Sequence, residues 1–153
     1  VFMLCLAGSC NVSQSNQENT SDMNKKNKEE IESLLLKYKD ALNTSDANLA
    51  MSLYAHDGVF MPSGAHSAIG QEQILKSYQF IFSQIQLNID FFIDNISIEG
   101  NVAFATTSSK GSSLIKASGQ NIAESNRELF VFIKAEDKWK IGRYMFNKTS
   151  TGN

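Results

Sequence analysis

Cysteine is almost missing from the chain: there are two, Cys5 and Cys10, and none follows residue 10. A body without thiols cannot be a dithiol redox enzyme or use a cysteine nucleophile, and it is safe in an oxidising compartment. Positive charge is not in excess: 14 basic against 16 acidic side chains leave a formal net charge of -2. That argues against nucleic acid as a partner, because such binding needs a basic face to displace counterions. No apolar run reaches the roughly 18–20 residues of a membrane-spanning helix. A single proline, nine glycines and 42% apolar residues exclude collagen-like repeats and wholesale disorder. GxGxxG, P-loop, GxSxG, HExxH and CxxC motifs are all absent. The only two histidines, His56 and His66, lack the spacing of a metal pair and have no third ligand nearby. No metal and no cofactor is expected.

What is present begins with an unusual leader. Val1 to Ala7 is apolar and is followed by Gly8-Ser9-Cys10. This arrangement resembles the lipobox that ends a bacterial lipoprotein signal segment. The resemblance implies lipidation at Cys10, export, and a place in the cell envelope facing the periplasm, with the membrane touched only through the lipid anchor. A buried N-terminal strand is the alternative reading of the same residues. Residues 11–27 are rich in Asn, Ser and Gln and read as a flexible polar tether. The length supports one domain, placed at 28–148, with 149–153 as a tail.

Periodicity supplies the elements. Ile31, Leu34, Leu35, Tyr38 and Leu42 share one helix face from a start at Ser21 or Asp22. Asn43 to Asp46 breaks that helix and caps a second, which carries Leu49, Leu53 and Tyr54 and stops near Asp57-Gly58. A brief strand over Val59 to Met61 ends at Pro62. A third helix opens at Gly70 with Ile74, Tyr78, Ile81, Phe82 and Ile85 on its inner stripe. The period then changes to two. Strands are expected from Leu87 to Ile98 (bulged near Asn95), over Val102 to Ile115, over Arg127 to Lys134, and over Lys138 to Phe146. Tight turns make these antiparallel. Segregated helices and strands indicate an α+β domain with helices on one face of the sheet.

This order resembles the NTF2-like superfamily, in its SnoaL-like, DUF4440 and SgcJ/EcaC branch. The resemblance rests on Tyr38-Lys39-Asp40-Ala41-Leu42, Asp46-Ala47, Leu53-Tyr54, Asp57 to Pro62, Gly70, and Trp139 to Tyr144. It implies a cystatin-like cone, a curved antiparallel sheet wrapped around three N-terminal helices with a pocket at the open end. The ketosteroid isomerases of this superfamily use a carboxylate base before a proline, with a tyrosine and a protonated aspartate as donors. That tyrosine corresponds to Tyr38, but the base position falls on Met61, whose thioether cannot take a proton from a carbon acid.

The implied function is a pocket protein for a small, partly apolar ligand. Tyr38, Tyr54, Phe60, Met61, Tyr78, Phe82 and Phe91 are its expected walls, with Arg143 and Asn147 as polar anchors if their strand carries no bulge. One alternative is an isomerase, cyclase or dehydratase in which Asp57 or Glu128 is the base. A pure oligomerisation module is another. If Glu128 is inside, Arg143 or Arg127 is its expected counter-ion. The strand around Leu129, Val131 and Ile133 is apolar on its other face too, at Phe130 and Phe132. Two apolar faces need two covers, so a homodimer through the outer sheet face is expected.

Overall fold

The computed structural model describes residues 12–149, and their side chains from residue 20 onward. Cys10 and the rest of the leader lie outside the described residues, as do residues 150–153. The first element is α1 (Val12–Asn43). Its five periodic positions, Ile31, Leu34, Leu35, Tyr38 and Leu42, are all buried. The helix starts before Ser21 and runs through the stretch read as a tether. No glycine or proline interrupts it, so helix can propagate backwards from the packed turns at little cost. Side chains 20–26 remain exposed. Asn27 is the first to be buried, and its Oδ1 accepts hydrogen bonds from Lys134 Nζ at 2.8 Å and Trp139 Nε1 at 3.2 Å.

Helix α2 (Ala47–Ser52) is capped by Asp46, whose Oδ1 accepts from Leu49 N at 2.9 Å. It ends sooner than its apolar spacing suggests. The chain turns at Leu53 and enters β1 (Tyr54–Met61), so Tyr54 reaches the core from a strand. Then follow β2 (Ala68–Ile69), α3 (Gly70–Gln84), β3 (Ile85–Glu99), β4 (Val102–Ile115), β5 (Gln120–Ala135) and β6 (Lys138–Lys148). Six strands form one open sheet in the order β2-β1-β6-β5-β4-β3. The last four strands are antiparallel neighbours, whereas β1 lies parallel to β6. The architecture is the expected α+β cone, with the sheet curved around the helices. Strand β5 begins at Gln120 because it pairs with β4 along its whole length, from Ile115↔Gln120 to Val102↔Ile133. The strand therefore starts seven residues before the expected Arg127.

Two bulges decide which side chains face inward. Ile93 pairs with Thr107 but Asn95 with Thr106, so Asp94 is an extra residue close to the expected site. On β6, Val131 pairs with Arg143 and Phe132 with Ile141, which leaves Gly142 as an extra residue. Trp139 and Ile141 are buried before it, and Tyr144 is buried after it. Arg143, Met145 and Asn147 consequently face outward and are exposed. Inside, Tyr38, Phe130 and Tyr144 form the centre of an aromatic cluster, with Phe130 and Tyr144 stacked at 4.3 Å between centroids. Outside, Phe92, Phe104, Leu129 and Met145 are exposed.

Candidate functional site

A cavity of about 130 Å³ opens inside the cone. Its apolar walls come from Tyr38 and Leu42 of α1, Phe60 of β1, and Tyr78 and Ile81 of α3. The sheet adds Ile85, Leu87 and Ile89 of β3, with Tyr144 and Phe146 of β6. One strip is polar. Ser109 of β4 and Glu124, Asn126 and Glu128 of β5 line it, with Lys148 beside them. Successive polar residues of β5 reach the same face because side chains two apart on a strand point the same way, and Phe130 and Phe132 continue that row into the core.

Three tyrosine hydroxyls meet at one side. Tyr78 OH is hydrogen-bonded to Tyr38 OH and, at 2.8 Å, to Tyr54 OH. Either oxygen of each pair can donate, Tyr54 also meets Tyr38, and the Tyr144 hydroxyl joins them at Tyr38. Burial pushes the hydroxyls of Tyr38, Tyr78 and Tyr144 well above the usual tyrosine value, and that of Tyr54 up as well. All four are neutral donors at physiological pH.

On the opposite strip, Glu128 Oε2 accepts from Thr107 Oγ1 at 2.6 Å, and Ser109 also donates to this carboxyl. Ser109 Oγ in turn accepts from Asn126 Nδ2 at 3.2 Å. The carboxyl therefore sets the direction of the whole row, and it orients the Asn126 amide with its oxygen free. That Oδ1 is buried and has no hydrogen-bond partner. Glu124 is matched separately, by Ser113 Oγ at 2.7 Å and Lys148 Nζ at 3.2 Å. Burial raises the Glu128 carboxyl above its ordinary value, the two hydroxyls pull it down, and Asp94 pushes it up.

A carboxyl raised in the folded state stabilises the fold fully while it is neutral, below its unfolded value, and loses that contribution as pH rises through the folded value. Glu128→Gln removes the titration. Its stability relative to the wild type should therefore increase as pH rises from the ordinary carboxyl range through the raised folded value, as read by urea unfolding. A constant offset between the two proteins would show that the carboxyl is not held away from water.

The match to known proteins agrees with this architecture. The family model described as a SnoaL-like domain fits residues 31–146. The chain belongs to this SnoaL-like family. No curated protein matches the sequence. Among solved structures, the chain is similar to a ketosteroid isomerase-like protein from Erwinia carotovora atroseptica SCRI1043, with 26% identity and a TM-score of 0.76, over 79% of this chain and 95% of that one. It also resembles an NTF2-like superfamily protein from Salmonella enterica serovar Typhimurium (21% identity, TM-score 0.71, 82% and 93% covered). A domain of unknown function with a cystatin-like fold from Nostoc punctiforme shares 13% identity at a TM-score of 0.65, with 79% and 76% covered.

Within this SnoaL-like cone, the expected site residues separate into three groups. Tyr38, Phe60, Tyr78 and Glu128 line the cavity. Tyr54, Phe82 and Phe91 stand one layer behind: Tyr54 bonds Tyr78, Phe82 packs against Tyr78 at 5.7 Å, and Phe91 stacks on Tyr38 at 6.0 Å. Met61, Arg143, Asn147 and Asp57 are elsewhere. Met61 follows the inward Phe60, so alternation turns it to the outer face, opposite Met145. Arg143 and Asn147 are turned out by the Gly142 bulge. Arg143 Nη1 donates to the carbonyls of Asp57 and Gly142, and Asn147 Oδ1 accepts from Arg127 Nε. Asp57 is exposed and touches Arg143 only through its backbone, so it is no pocket base. Neither arginine reaches Glu128 as counter-ion. Ser109, Glu124, Asn126 and Lys148 are site residues that periodicity did not single out. Their signal was the period-two row from Ile122 through Glu124, Asn126 and Glu128 to Phe130.

Proposed function

We propose that this chain binds a small, partly apolar ligand within the cone, as a homodimer joined through its outer sheet face, and that it is exported and held at the membrane by lipid on Cys10. The cavity carries the reading of the site. An apolar hole of roughly 150 Å³ is enough to hold benzene, so about 130 Å³ suits one ring, with the polar strip to orient its substituent. An assembly module would fill this space with its own side chains. The exposed Phe92, Phe104, Leu129 and Met145 on one sheet face support a second copy as cover, because apolar surface gathered in one place is unusual on a monomer. The apolar run ending in Gly8-Ser9-Cys10 supports the anchor.

One observation favours a second reading, an enzyme of the isomerase or dehydratase kind. Glu128 is a buried, titratable carboxyl in the same cavity as a chain of neutral tyrosine donors, the pairing that proton transfer next to a carbonyl requires. The similarity to the ketosteroid isomerase-like protein points the same way, although a base at the Met61 position is missing.

Native mass spectrometry of the purified chain tests the primary reading in one measurement. The expected spectrum shows twice the chain mass, together with small adducts that leave on gentle activation. A bare monomer under the same conditions would remove both halves of the proposal.

A further inference from the structure

Resting on the pocket reading above, we infer that the ligand is a cation, a protonated amine on a ring-sized apolar body, with its N–H groups shared between the Glu128 carboxylate and Asn126 Oδ1.

Four observations lead there. First, Glu128 is 5% exposed, and among the described residues no lysine or arginine forms an ion pair with it. Arg143 is turned to the other face of the sheet by the Gly142 bulge, and Arg127 by alternation next to Glu128. A buried carboxylate without a cation is costly, and such charges are normally paired. Second, the other acid of the strip is already matched. Lys148 Nζ is bound to Glu124, so the interior strip of Glu124, Glu128 and Lys148 carries one negative charge when Glu128 is ionised.

Third, Asn126 is only 9% exposed and its Oδ1 is unpartnered. The hydroxyl row determines that this free atom is the oxygen: Ser109 spends its proton on Glu128 and must accept from the Asn126 amide nitrogen. Both open positions on β5 are thus acceptors, on same-face neighbours whose side chains meet at Ser109 Oγ. A ligand with several N–H groups on one nitrogen satisfies both ends. A carboxylate or a bare ketone satisfies neither. Fourth, the facing walls are aromatic, with Tyr38, Phe60, Tyr144 and Phe146 on the cavity. Such rings pack against the apolar body of the ligand.

The test compares three probes of equal body and different head, benzylamine, benzyl alcohol and benzoate, by chemical-shift titration of the full chain at neutral pH. Benzylamine should bind at least about tenfold more tightly than the other two, the scale of one charge-assisted hydrogen bond. Glu128→Gln should abolish that preference, with the dispersed amide spectrum of the same titration showing that the variant is folded. Asn126→Ala should weaken benzylamine by roughly fivefold. Equal or tighter binding of benzoate or benzyl alcohol overturns this inference and leaves the pocket reading standing, as does a benzylamine preference that survives in Glu128→Gln. If none of the three probes binds, both readings fall together.

Discussion

Gly111→Ala is expected to cost about 3–5 kcal/mol of folding stability, more than a core methyl deletion. Gly111 lies in the middle of β4, opposite Ile89 of β3 and Glu124 of β5. Its φ of +153° belongs to a region that side chains rarely adopt, and a Cβ there would stand 2.1 Å from Asn88 O and 2.8 Å from Ile89 Cα. Both contacts are backbone, so no rotamer change relieves them. Strands β3 and β4 would have to separate at this pair. Ile89 and Glu124 both line the cavity, so the same substitution should weaken ligand binding. Urea unfolding decides the first effect, and a loss below about 1 kcal/mol would mean that β3 and β4 move apart easily.

Phe130→Ala should be almost as damaging, at about 3–5 kcal/mol, the range for a fully buried phenyl ring. Phe130 is completely buried and meets Tyr38, Phe91, Phe132 and Tyr144. Two of those rings, Tyr38 and Tyr144, are also cavity walls. Losing Phe130 removes the support behind them, so the variant should accept bicyclic probes that the wild type refuses. Phe80 is the control. It is 68% exposed on α3, and Phe80→Ala should change stability by less than about 0.5 kcal/mol. Comparable losses for the two variants, measured by thermal unfolding, would contradict the core assigned here.

The skeleton of the molecule was readable from spacing alone where an element has one buried face. The stripe of α1, the stripe of α3 at Ile74, Tyr78 and Phe82, and the row of β5 at Phe130 and Phe132 all correspond to buried positions. Reading failed where the signal lies in pairing partners rather than in the element itself. Nothing polar at Gln120 to Asn126 announces a strand, yet β4 supplies a hydrogen-bonding partner for every residue of it. Parity failed at one inserted residue. Arg143 and Asn147 count as inward until Gly142 is recognised as unpaired. Half of the site was legible, the aromatic half, because large rings must be buried. Of the polar half only Glu128 was, because Ser109, Asn126 and Glu124 become site residues only through the cavity they enclose.

That unpaired glycine has an effect well beyond its own turn. It shifts the phase of every side chain that follows it on β6, so the interior receives Tyr144 and Phe146 while a guanidinium and an amide go to the exterior. Were Gly142 taken into the ladder, the same letters would furnish the hollow with a fixed positive charge and a flexible thioether, and the carboxylate across from them would already be answered. The pairing of a single backbone unit therefore selects whether this chamber is electrically complete by itself or waits for a guest to complete it.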